Sequence, residues 1–143
     1  MKPYKHWTNN ELKYRLIQTV FRVSKDNDFA ELWVDLIHEA FKSNEWEIKS
    51  QYDGCTLVQD HLHPCPACFV HDYMCQTGRG GIMCDRIFKH CMKNEGMKKW
   101  RINVRWFAVR CYFICFSFWK FVHLRELKKP SKSMVEINKY ITK

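Results

Sequence analysis

HPCPACFVHDYMCQTGRGGIMCDRIFKHCMKNEG, residues 63–96, reads as two helices folded against each other. Pro64 and Pro66 favour an extended lead-in followed by a helix start, because proline fixes φ and its missing N–H is no loss in a first turn. The first helix therefore runs from Pro66 to Gln76, with Gly78 as its stop signal. Gly80 and Gly81 close a short turn, and a second helix spans Ile82 to Asn94, stopped by Gly96. Its Cys84, Ile87, Phe88 and Cys91 make an apolar stripe at helical spacing, with Asp85 and His90 as the polar exceptions. A turn this short makes the helices antiparallel neighbours. Asp85, early in the second helix, can then face the His71–Asp72 pair in the middle of the first.

On the N-terminal side, Thr8 and Glu11 form a capping box, and Leu12, Leu16, Ile17, Val20 and Phe21 follow at the spacing of one helical face, which predicts a helix over Asn9–Val23. SKDND, residues 24–28, is a polar break whose Asp28 can cap a second helix reaching Lys42. Phe29, Leu32, Trp33, Leu36, Ile37, Ala40 and Phe41 give that helix the cleanest periodicity in the chain. EWEIKS, residues 45–50, alternates apolar and charged residues and suggests at most one short strand. Asp53-Gly54 then favours a turn, and the loop to His63 carries Asp60 and His61.

On the C-terminal side, a helix from Lys98 to about His123 aligns Trp100, Val104, Phe107, Cys111 and Phe118 along one seam. Trp106, Phe113 and Phe121 lie off that seam, so the helix is apolar on more than one side. It is expected either at the centre of the core or offering a second face to a partner or a membrane surface. Residues 129–143, around Pro130, are polar and basic enough to read as a tail. The fold expected is mostly α: one helical domain over 1–128 built on the antiparallel pair, with the aromatic helix packed across it and at most a small β element.

Composition sets bounds. With 143 residues, 46% hydrophobic and 15% aromatic, the chain has enough apolar mass for a real core, which excludes a disordered protein. A formal charge of +9 implies attraction to an anionic partner: nucleic acid, lipid headgroups or an acidic protein. The longest apolar run, Cys111 to Trp119, stops at Arg110 and Lys120 and is too short to span a membrane. MKPYKHWTNNELKYR lacks the apolar run of a secretory signal, so the eight cysteines are expected as thiols. Gly78-Arg79-Gly80-Gly81 lacks the Lys-Ser/Thr ending of a phosphate loop and is a turn.

Three chemistries are open to the helix pair. His71 can act as a general base oriented by Asp85, with Asp72 and Asp53 offering oxygens to a hard cation such as calcium. Cys68, His71 and Cys75 lie on one helical face, and with His61, His63, Cys65 and Cys84 near them they can supply zinc ligands. Cys68 can also be a nucleophile at the helix N-terminus, with His71 taking its proton. Against all three stands a plain helix-surface His–Asp pair with Asp85 as an early-turn acid favourable to the helix dipole.

Asp53-Gly54-Cys55, His63-Pro64-Cys65, His71-Asp72-Tyr73, Gly78, Asp85-x-x-Phe88, Gly96 and Val109-Arg110 together resemble a widespread bacteriophage family of unknown function. With Trp33, Glu39 and Trp46 the resemblance narrows to the version carried by crAss-like gut phages, and it covers residues 8 to about 120. It implies a phage gene product, found in the host cytoplasm during phage production and in the virion, with other virion proteins or a lipid interface as partners. Cys68-x-x-His71-Asp72-x-x-Cys75 with the later Cys84-Asp85 is also similar to the catalytic helices of secreted phospholipases A2 and of parvoviral capsid phospholipases. That likeness implies His71 as base, Asp72 as calcium ligand and Asp85 as the group orienting His71, hence a lipid or ester hydrolase. Here the glycine-rich calcium loop is reduced to Asp53-Gly54-Cys55. The alternative is a non-enzymatic virion or assembly protein with a structural, zinc-binding cluster.

Overall fold

The structure is a computed structural model that describes residues 7–48, 65–122 and 128–143, with only the backbone described over 112–122. Among the described residues there are six helices: α1 (Asn9–Val23), α2 (Asn27–Lys42), α3 (Pro66–Gln76), α4 (Ile82–Asn94), α5 (Lys99–Val122) and α6 (Lys132–Ile141). The protein is mostly α, and no strand occurs among the described residues.

Two helices organise the packing. α2 touches α1, α3 and α6, and α4 touches α3, α5 and α6. α2 takes this place because its stripe is complete: Phe29, Ala30, Trp33, Leu36, Ile37 and Ala40 are all sealed from solvent. α1 starts at the expected capping box, Thr8 and Glu11 bonding each other's backbone N–H. It lays Leu12, Leu16 and Val20 on α2, while Phe21, at the edge of the same stripe, stays in solvent. The cap of α2 is Asp26 rather than Asp28, its carboxylate accepting from the N–H groups of Asp28 and Phe29.

Several expectations are corrected. The short strand over 45–50 does not form in its described part. Trp46 folds back instead, its indole N–H donating to the Ala40 carbonyl at 2.9 Å while the ring packs on Phe69 and Tyr73. The alternation of Trp46 and Ile48 thus reflects two buried anchors, one on an irregular segment and one where a helix begins. The C-terminal tail is also a helix: Ser131 caps α6, and Met134 and Ile137 are fully buried. Tyr140 donates to the Asp26 carboxylate and Arg86 to Asn138, so α6 is held on both α2 and α4.

α5 takes the second of its two expected roles, with apolar surface turned outward. The described part of its aromatic seam does not face the core: Trp100 is 61% exposed, Val104 55% and Phe107 66%. The inward side is Ile102 and Arg105, both buried, with Val109 partly so. α5 packs chiefly on α4, so it flanks the bundle.

Candidate metal centre

The α3–α4 turn brings the chemistry together. Gly78 takes φ of 81°, a left-handed conformation that costs glycine little, and this lets Arg79 N–H reach the Met74 carbonyl at 2.8 Å and end α3. The chain reverses over Thr77–Gly81, and α4 returns antiparallel beside α3. His71 Nε2 and Asp85 Oδ1 are consequently 3.0 Å apart. Arg110, from the inner side of α5, donates to the other Asp85 oxygen at 2.9 Å. Asp85 is only 2% exposed, so its ionised carboxylate needs these donors in place of water. A carboxylate only accepts, so Nε2 carries the proton and the free lone pair of a neutral His71 would sit on Nδ1. Phe88 stacks on the imidazole at 4.4 Å and fixes its plane.

Two thiols share this corner. Cys75 Sγ lies 3.9 Å from His71 Nδ1 and 3.7 Å from Nε2, and Cys84 Sγ lies 3.9 Å from Cys75 Sγ. One ligand atom from each of His71, Cys75 and Cys84 falls within 4.8 Å of the others, an arrangement that could hold a metal ion. Tetrahedral zinc with ordinary bond lengths sets two sulfurs about 3.8 Å apart and a sulfur and a nitrogen about 3.6 Å apart. The two separations to Cys75 lie within a few tenths of an ångström of these, and the third edge, from Cys84 to His71, is under 4.8 Å.

The electrostatics follow from the crowding. Burial alone would pull His71 down, but the Cys75 thiolate and the Asp85 carboxylate outweigh it and hold the imidazole up at about 10. The Cys84 S–H, donating to Cys75, and then His71 bring Cys75 down to about 5 against the cost of burial. Burial and the neighbouring thiolate push Cys84 up. Without a metal these shifts favour a thiolate–imidazolium pair, and an imidazolium cannot accept a proton from water.

The sequence-predicted residues divide accordingly. His71 and Asp85 meet. Asp72 is half-buried beside His71 in the chain but does not enter the group of three. Asp53 and His63 lie outside the described residues. Among the described residues, Cys65, Cys68 and Cys75 of the predicted zinc set are not brought together. Cys65 caps α3, accepting from Cys68 N–H and reaching Glu95, whose carboxylate also takes Ala67 N–H at 3.0 Å. Cys68 is disulfide-bonded, so it offers neither a thiolate ligand nor a nucleophile. It also sits two turns before Cys75, about 10 Å along the helix axis, too far to share one ion with it. The expectation that the cysteines are thiols holds at Cys65, Cys75, Cys84, Cys91 and Cys111 and fails at Cys68.

Of the cluster's other members, Cys84 was among the possible zinc ligands, and its pairing with Cys75 had a signal: the two are nearly equidistant from the turn centre, as are His71 and Asp85 to within one helical turn. Arg110 had none, since nothing local tells which side of α5 faces inward.

A family model matches this part of the chain. Residues 55–109 fit a family described as a protein of unknown function (DUF1353). The match takes in α3, α4 and the first half of α5, and so His71, Cys75, Cys84 and Asp85. No curated protein and no solved structure matches.

Proposed function

We propose that this protein holds one zinc ion on His71 Nδ1, Cys75 Sγ and Cys84 Sγ, and that it is a phage-encoded, metal-dependent hydrolase-like protein in which His71 is a ligand rather than a base. One observation carries the reading: three soft or borderline ligand atoms converge while the second ring nitrogen of His71 is held by a buried carboxylate. A metal-bound histidine is ordinarily oriented in this way, its other N–H given to an acid that is itself hydrogen-bonded, as Asp85 is by Arg110. Two thiolates and an imidazole suit zinc, whereas calcium takes six to eight oxygens. Asp72 and Asp53 therefore lose their metal role in this reading.

Three protein ligands leave a fourth position. His71 is 12% exposed and Cys75 only partly buried, so the cluster lies near the surface and that position is within reach of solvent. Zinc held this way supplies a Lewis acid and a bound water of lowered pKa. The ester or lipid substrate rests on the resemblance to phospholipase helices, and the phage origin on the resemblance to the phage family. The test is metal analysis of protein purified under reducing conditions, with Cys75→Ser and Cys84→Ser beside the wild type, followed by turnover of ester and phospholipid panels. One zinc per wild-type chain, lost in both variants, is expected, with zinc-dependent cleavage of an ester. Wild type without zinc, unable to take it up, would overturn the centre.

The non-enzymatic virion component is favoured by one observation of its own. Cys84 is fully buried and the cluster joins α3 to α4, the position of a structural staple. Stoichiometric zinc with no turnover on any ester would decide for this second reading.

A further inference from the structure

We infer that the outer face of α5, carrying Trp100, Val104 and Phe107, is a docking surface for an anionic lipid bilayer. The inference is independent of the metal centre, which lies on the side of α5 that Arg110 faces. The three residues stand at i, i+4 and i+7, one continuous stripe of a helix, and each is more than half exposed. Beside them an open groove of about 460 Å³ is lined by Lys89, Asn103, Val104, Trp106 and Phe107. Single exposed apolar residues are ordinary, but an exposed stripe alongside an apolar groove marks an interaction site.

Charge selects the occupant. Between Glu95 and Glu126 the chain has no acidic residue, and with Arg105 and Arg110 turned inward the cations left to the outer side of α5 are Lys98, Lys99 and Arg101, with Lys89 of α4 beside them. Lys89 lies over the Trp106 ring at 4.7 Å and Arg101 over Trp100 at 5.4 Å, so cations border the apolar stripe directly. A second copy of this chain would bring the same basic face and a formal charge of +9, and would repel it. Nucleic acid would satisfy the lysines and arginines and could stack bases on the exposed rings, but it has no aliphatic chain to cover Val104 and fill the groove. A bilayer with anionic headgroups answers both halves: phosphates for the rim, and acyl chains for the rings and the groove. No helix among the described residues is long and apolar enough to cross a membrane, so the contact is at the interface.

Co-sedimentation of the full chain with vesicles tests this. One set is roughly half phosphatidylglycerol and half phosphatidylcholine, the other phosphatidylcholine alone. Expected is binding to the anionic vesicles at least about tenfold tighter than to the neutral ones, weakened by raising salt from about 0.1 M to 0.5 M. The double variant Trp100→Ser/Phe107→Ser, both positions already in solvent, is expected to keep the wild-type circular dichroism and melting temperature and to bind the anionic vesicles about tenfold more weakly or worse. No sedimentation with either vesicle overturns the inference. So does anionic binding that the double variant retains in full, since lysines and arginines alone would then account for it. Retention of single-stranded DNA by wild type with no vesicle binding would assign the face to nucleic acid instead.

Discussion

α2 and α5 are both rich in large apolar residues, yet one buries its stripe and the other exposes it. In α2 the apolar positions fall on one side and charged residues on the other, so burial has a single solution. In α5 aromatic and aliphatic residues ring the helix, and several rotations about its axis would bury a comparable area. A polar contact then decides. Arg110 must reach Asp85, and a buried carboxylate short of a donor costs more than a few exposed rings. The ion pair thus sets the rotation of α5, turning Ile102 and Arg105 inward and leaving Trp100, Val104 and Phe107 outside. Where the apolar pattern is degenerate, a buried charge can specify the register.

The largest expected effect lies in α2. Trp33→Ala should lower unfolding free energy by about 3–5 kcal/mol, the cost of emptying a sealed aromatic site, read from denaturant midpoints. A loss under about 1.5 kcal/mol would mean that α2 is not the centre of the packing. Next comes the ion pair. Arg110→Met should cost about 3 kcal/mol, because it removes one partner of a buried carboxylate. In that variant α5 should also lose its fixed rotation, read as new protection of Trp100 from acrylamide quenching. Unchanged quenching would show that packing alone orients the helix.

Zinc should add about 2.7 kcal/mol at a free concentration about 100 times its Kd, seen as a drop in Tm on chelation that Cys84→Ser does not show. The metal-free protein has a pH signature of its own. His71 moves up from 6.5 to about 10, so its contribution is complete below about 6.5 and is lost as pH rises through 10. Cys75 moves down from 9.0 to about 5, so its contribution is complete above about 9 and is lost as pH falls through 5. Between those ordinary values the two slopes cancel, because folded and unfolded chains each bind one proton. A stability plateau from about pH 6.5 to 9 is expected from this pair, falling by about 1.4 kcal/mol per pH unit on the acid side and more steeply on the alkaline side, where Cys84 and Cys91, also pushed up by burial, keep their protons only in the folded chain. A steady slope across neutrality would dismiss the thiolate–imidazolium pair. The smallest effect belongs to the outer face of α5: Val104→Ser should change stability by less than about 0.5 kcal/mol, since the residue is already in water.

Much of this molecule was legible in its residues, and the reasons differ by element. α1, α3 and α4 carry local signals at both ends, a capping box, prolines and glycines, and those signals are obeyed. The meeting of His71 with Asp85 follows from turn length alone. Cys68 misled, because the expectation of reduced thiols said nothing about one cysteine in particular. α6 was hidden by composition: Lys132, Lys139 and Lys143 make its segment look like a tail, though Met134 and Ile137 are buried and Tyr140 and Ile141 pack against the core. The orientation of α5 depends on a pairing across 25 residues, beyond any local pattern.

The two glycine turns that flank α4 end in the same kind of backbone closure but have different surroundings. At Gly78 the carbonyl takes the Lys128 N–H at 3.0 Å, the Lys128 side chain lies 3.7 Å from where a Cβ would stand, and Arg79 and Lys128 both clasp Glu45. At Gly96 nothing stands within 4 Å of that position. A fluorophore or affinity tag spliced in after Gly96 would extend into open space, whereas one after Gly78 would have to part three segments of the chain and pull on the helix that carries His71.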